Sequence, residues 1–209
     1  MKQRAIKILA LVLLMGSVAF ADSLTLLNED WSTTSVGSYS QGQTFGSWKV
    51  SSGTVDVLGA GYYGALCASG GISGKCLDLA GVSAGNILAT DSLSLNPGSS
   101  YTLSFELAGS QRGNTNTVYV TLGSAFSTAV TLASGDKAQT YSYTFTVDNP
   151  TIAYLTFQDA PNSSAGALLG KVSLVDPPIG NVPEPTSLAM LSGGLVMMGG
   201  FFRRKKQVL

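Results

Sequence analysis

The chain has no histidine among its 209 residues and only two cysteines. Without histidine, neither a Ser-His-Asp nor a Cys-His catalytic constellation can form. One cysteine pair without histidine also falls short of the four nitrogen and sulfur ligands of a structural zinc site. Charge is scarce as well: Asp, Glu, Lys and Arg together make up 11%, against about a quarter in ordinary soluble chains. Between the two ends no segment carries a sustained 3.6-residue apolar stripe, which excludes a helical bundle.

The positive charge that is present lies mostly at the ends. Lys2, Arg4 and Lys7 precede the apolar run Ile8–Val18, and Ala19-Phe20-Ala21 follows it. A basic start, a short apolar run and a small-x-small site make a secretory signal peptide over 1–21, with a mature chain expected from Asp22. At the other end Val182-Pro183-Glu184-Pro185 leads into the uncharged run Thr186–Phe202, closed by Arg203, Arg204, Lys205 and Lys206. The prolines hold an extended segment, and seventeen residues are just enough for a helix to cross a bilayer core. The basic tail stays with the cytoplasmic leaflet. Gly193-Gly194 and Gly199-Gly200 weaken the run as a permanent span, although an ordinary single-span anchor is the alternative.

The order of these three parts resembles the PEP-CTERM sorting signal of Gram-negative bacteria. The resemblance implies recognition by a membrane protease-like exosortase. It also implies an inner-membrane-anchored precursor whose upstream domain ends at the cell surface or in the extracellular matrix.

From Asp22 to Glu184 twelve acids face five bases, a formal charge of −7. Such a domain repels nucleic acid phosphates, so no nucleic acid partner is expected. Residues 22–176 suffice for one domain, and 177–185 form a stiff Pro-rich linker carrying the VPEP motif. Residues 186–209 complete the terminal helix and basic tail. In an exported chain Cys67 and Cys76, nine residues apart in a Gly-rich stretch, are expected to form a disulfide closing a small surface loop.

The middle of the chain alternates with period two. Tyr101–Leu107, Thr117–Leu122 and Tyr141–Val147 read as half-buried strands, separated by turn chemistry such as Asn96-Pro97-Gly98-Ser99. Further strands are predicted over 46–58, 77–79, 89–95, 126–132, 152–158 and 168–175. About nine short strands predict an all-β, antiparallel two-sheet sandwich. Its expected core holds Trp48, Val50, Val55, Val57, Leu79, Leu103, Phe105, Leu107, Val118, Val120, Tyr143, Phe145, Leu155, Phe157, Val172 and Leu174.

Several blocks are similar to the galactose-binding-like jelly-roll domains found in many PEP-CTERM proteins. They are Trp48-Lys49-Val50, Gly53-Thr54-Val55-Asp56-Val57, Leu77-Asp78-Leu79-Ala80-Gly81 and the segment Pro97–Gly109, with its Tyr101-Thr102-Leu103-Ser104-Phe105 core. The resemblance implies a jelly roll. The sequence departs from that pattern at Leu27-Asn28-Glu29-Asp30-Trp31 and at Gly170-Lys171, where the family has an acidic step.

A glycosidase needs two carboxylates facing one another across a sugar. Glu29, Asp30, Asp56, Asp78 and Glu106 are available, but no motif pairs them. Asp56 and Asp78 fit solvent-facing or turn-bracing roles, and Glu106 alternates outward. The chain is therefore read as non-enzymatic. Asp22, Glu29 and Asp30 are candidate ligands for a structural Ca²⁺, since hard cations take loop carboxylates and carbonyls; no other cofactor is implied. Trp31, Tyr39, Tyr62 and Tyr63 lie in loop-like segments, where a ring can stack on the apolar face of a pyranose. Two functions fit these observations. One is a non-catalytic matrix module associated with extracellular polysaccharide. The other is a structural or adhesive surface protein with a protein partner and no sugar binding.

Overall fold

The alternation read from the sequence places every second side chain of each strand in one interior. A computed structural model of the protein describes residues 23–160 and 164–176. The predicted signal peptide, Pro-rich linker, VPEP motif, terminal helix and basic tail lie outside the described residues. Among the described residues no helix is long and apolar enough to cross a membrane.

Among the described residues fifteen strands form: β1 Leu24–Glu29, β2 Gly37–Ser40, β3 Thr44–Phe45, β4 Trp48–Ser52, β5 Thr54–Leu58, β6 Cys76–Asp78, β7 Asn86–Ala89, β8 Leu93–Leu95, β9 Ser100–Ala108, β10 Asn116–Leu122, β11 Phe126–Leu132, β12 Gln139–Thr146, β13 Thr151–Ala153, β14 Leu155–Asp159 and β15 Leu168–Asp176. One sheet has the order β12-β9-β15-β6-β5-β2, with β1 also paired to β15; the other has the order β11-β10-β14-β7-β4-β3. All these pairings are antiparallel. β9 and β10 lie in different sheets, as do β11 and β12, and β14 and β15. This repeated crossing makes the fold an antiparallel jelly-roll sandwich. Its core is one cluster in which Trp48, Tyr101, Phe105, Leu103 and Phe157 are fully buried.

Three expectations require correction. The segment 46–58 is two strands in different sheets, because the chain turns at Gly53 with φ +69°. A Cβ there would collide with the Ala84 carbonyl oxygen, so the turn requires glycine. Similarly, 89–95 and 152–158 each divide in two. Tyr143 and Phe145, expected in the core, are only half-buried, because β12 is an edge strand with a single neighbour, β9.

The third correction concerns the cysteines. They are joined, with Cα atoms 5.7 Å apart, but the bond is fully buried rather than closing a surface loop. Cys67 lies on a short helix that the sequence pattern did not predict, α1 Gly64–Gly70, and Cys76 on β6. With Leu58, Ile72, Ala108 and Leu168 they make a second, smaller core. Leu77, Leu107 and Leu169, the strand neighbours of Cys76, Ala108 and Leu168, belong to the main core. Successive strand residues point to opposite faces, so the helix packs on the outer face of the first sheet.

Candidate functional site

The registers of β2, β5 and β6 pair Ser38 with Asp56 and Asp56 with Asp78. Their strand neighbours Val55, Val57 and Leu77 point into the core, so Ser38, Asp56 and Asp78 form a row on the outer face. Loops and the α1 segment build walls around that row. The Gly59–Tyr63 loop closes on itself through reciprocal backbone hydrogen bonds between Gly59 and Tyr62. Tyr63 ends it in a left-handed conformation, φ 48°, just before α1. The two tyrosine rings meet edge to face with centroids 5.1 Å apart.

The opposite wall is the loop after β9. Gln111 adopts φ 57°, and its Nε2 donates to the carbonyls of Gly109, Ser134 and Asp136. These bonds pin the loop, and Arg112 next to it donates from Nη2 to Asp78 Oδ2 in an ion pair. Asp78 Oδ1 accepts from the N–H groups of Ala80 and Gly166, both at 3.0 Å. Asp78 is 1% exposed. Burial pushes its carboxyl up to about 7, against the stabilising Ala80 N–H and Arg112 charge and with some help from the neighbouring Asp56.

Asp56 is more accessible. Its Oδ1 accepts from the Ser38 hydroxyl at 2.5 Å, and Ser38 Oγ lies 2.7 Å from the Tyr62 hydroxyl. Together these groups enclose a cleft of about 330 Å³, with Ser38, Asp56, Tyr62, Tyr63 and Arg112 around it and Asp78 in its lining. Tyr63 is 67% exposed. The cleft thus offers an open ring face beside a carboxylate, a guanidinium and two hydroxyls. That combination suits a ligand with one apolar face and a rim of hydroxyl groups. The buried, triply bonded Asp78 positions Arg112 from within the cleft's lining.

The other sequence-predicted aromatics are not at this site. Trp31 is fully buried between Phe45 and Trp48, at ring distances of 6.1 and 5.9 Å, and its Nε1 donates to the Gly170 carbonyl at 2.6 Å. Its loop position suggested exposure, but the turn after β1 folds the indole inward. Tyr39 points to the core side of β2, packs at a tilt on Phe45 with centroids 4.8 Å apart and donates to the Ser35 carbonyl. Of the four, only Tyr62 and Tyr63 come together.

Glu29 and Asp30 brace the same turn. Glu29 Oε1 accepts from the Trp31 N–H at 2.7 Å, and Asp30 Oδ1 from the Ser32 N–H at 2.9 Å. Hydrogen bonds from Ser32 hold the Asp30 carboxyl below its usual range. Asp22 lies outside the described residues. Among the described residues no three Cys, Asp or Glu side chains gather as a metal site, and Glu29 and Asp30 are engaged with backbone. They do not assemble a Ca²⁺ cage by themselves. Sequence reasoning did not single out Arg112 or Ser38, and it read Asp78 as solvent-facing or turn-bracing; Asp78 is buried, and its bond from the Ala80 N–H braces the turn after β6. A signal did exist: Val55-Asp56-Val57 and Leu77-Asp78-Leu79 both put a carboxylate between two inward apolar residues.

Comparison with known proteins adds one family model, the PEP-CTERM protein-sorting motif, matching residues 181–206. No curated protein matches the chain. Among solved structures, the C-terminal CBM6 of LamC from Zobellia galactanivorans is 9% identical, covering 74% of this chain and all of that one, with a TM-score of 0.42. The CBM22-1 xylan-binding domain of Xyn10C from Paenibacillus barcinonensis is 13% identical over 76% of this chain and 99% of that one, with a TM-score of 0.43. A Family 16 Carbohydrate Binding Module-2 is 15% identical over 58% and 85%, with a TM-score of 0.37.

Proposed function

We propose that this chain, which carries a PEP-CTERM protein-sorting motif at residues 181–206, is an exported surface protein whose sandwich holds polysaccharide without cleaving it. The motif supports an exosortase as processing partner, an inner-membrane precursor, and a final place at the cell surface or in the extracellular matrix. The polysaccharide reading is carried by one observation: Tyr63 stands 67% exposed at the rim of a cleft that also contains Asp56, Arg112 and the Tyr62 hydroxyl. A sugar ring would lay its C–H face on Tyr63 and direct its hydroxyls to Asp56 and Arg112. Arg112 is kept in place by Asp78, so part of the ordering cost of binding is met before the ligand arrives.

Calorimetric titration of the chain with exopolysaccharide from the bacterium that makes it, with and without Ca²⁺, tests this reading. Saturable binding is expected, and Tyr63→Ala is expected to weaken it by about tenfold or more, equivalent to about 1.4 kcal/mol. Trp31→Phe, altered in the core, should leave affinity unchanged. Equal affinity in the wild-type chain and Tyr63→Ala would remove the cleft from consideration. The same binding in excess chelator is expected, because Glu29 and Asp30 already serve the backbone.

A further inference from the structure

The sandwich treats its two sides differently. On one side the edge strands are short: β2 has four residues and β3 has two. Short edges are a usual protection against pairing with another chain. The other side ends in β12, eight residues, and β11, seven residues. Neither Gln139–Thr146 nor Phe126–Leu132 contains a charge or a proline, the two commonest devices for blunting an edge. Phe126 packs on Tyr143 and Phe145 at 5.2 and 5.5 Å and closes the sandwich between these strands. β12 pairs with β9 on one side, and no described strand pairs with it on the other.

The sequence of that free edge is symmetric. Thr140-Tyr141-Ser142-Tyr143-Thr144 is the same in both directions about Ser142. A two-fold interface must be complementary to itself, and an antiparallel pair centred on Ser142 meets this condition at each step. Ser142 would face its own copy, Tyr141 the partner's Tyr143, and Thr140 the partner's Thr144. Aromatic and β-branched cross-strand pairs stabilise sheets. Tyr141 and Tyr143 already stack on Phe105 at 5.8 and 5.9 Å, so both rings are held in place. The net charge of −7 from Asp22 to Glu184 opposes self-association, but the connecting loop between β11 and β12 adds only the balancing pair Asp136 and Lys137.

We infer that β12 is a homodimerisation edge: two copies pair antiparallel about Ser142 and join their seven-stranded sheets into one continuous sheet. This inference is independent of the sugar-binding reading.

The test uses the full chain, extracted from the producing membrane in mild detergent. The only native cysteines are already joined, so Ser142→Cys introduces a single free thiol. Under mild oxidation it is expected to give a covalent dimer on a non-reducing gel. Thr140→Cys and Thr144→Cys should each give no covalent dimer alone and cross-link only when mixed, which fixes the register. Ser142→Lys should weaken the dimer in sedimentation by about tenfold or more through like charges placed opposite each other. Mixing it with Ser142→Glu should restore association, a rescue that no misfolded variant would show. A wild-type chain that sediments as a monomer overturns the inference. So does a dimer in which Ser142→Cys fails to cross-link, since the two copies would then associate through another surface.

Discussion

Asp78 shows how one residue links the stability of the sandwich to the cleft. An unfolded aspartate titrates near 3.8, while in the folded chain Asp78 is raised to about 7 by burial, and Asp159, buried beside Asn116, to about 6. Between these values the folded chain retains protons that the unfolded chain has released. Stability from this source is therefore fully present below about pH 4 and declines as pH rises through 6 to 7. The urea midpoint is expected to correspond to roughly 2–4 kcal/mol more stability at pH 5 than at pH 8. Asp78→Asn should flatten most of that slope, and Arg112→Gln should steepen it by removing the charge that favours the ionised form. A flat profile in the wild-type chain would contradict this account. Asp78 was visible in the sequence as a carboxylate inside an apolar strand. Its burial was not, because Arg112, Ala80 and Gly166 reach it only through the fold. Trp31 illustrates the reverse error: its loop-like position suggested exposure, yet the left-handed turn at φ 60° directs the indole into the core.

Elements were legible where one face is buried and unreadable where tertiary packing decides. β9, β10 and β12 follow strict alternation over seven to nine residues, and the period-two signal located them. α1 is barely two turns long and contains two glycines, too short for a helical period to register. Its anchor is the Cys67–Cys76 bond, with Leu58, Ile72 and Leu168 packed around it. Replacing both cysteines by alanine should cost about 2–3 kcal/mol in urea unfolding, the chain-entropy value for so short a loop. Because Tyr63 immediately precedes α1, the same variant should also lose affinity in the calorimetric titration. Full retention of sugar binding would show that the cleft wall stands without its covalent anchor. Gly53 is a second element-scale determinant. Gly53→Ala must accommodate both a left-handed φ and a collision with Ala84, and is expected to destabilise by at least about 2 kcal/mol.

At the scale of the whole molecule, the middle of the chain and its last residues carry separate information. The sandwich depends on apolar alternation, whereas the terminal signal depends on the order of a Pro-Glu-Pro step, an uncharged run and a basic tail. The motif matched at 181–206 contains Glu184 and Arg203–Lys206. Within the matched motif Glu184 is the one charged side chain ahead of the uncharged run, so a processing enzyme reading this step has a single carboxylate to recognise. In the proposed precursor the basic residues would hold the far end in the cytoplasm. Glu184→Ala and deletion of Arg203–Lys206 are therefore both expected to accumulate full-length chain in the inner-membrane fraction, with little released at the surface. Neither change touches the described sandwich, so the accumulated protein should retain the Cys67–Cys76 bond and the polysaccharide affinity of the wild-type chain. Cell fractionation followed by immunoblotting reads the first effect, and calorimetry of the extracted protein reads the second. Normal release of both variants would detach the motif from processing. Retention in the membrane with loss of affinity would show instead that the sandwich completes its folding only after the terminal segment has been handled.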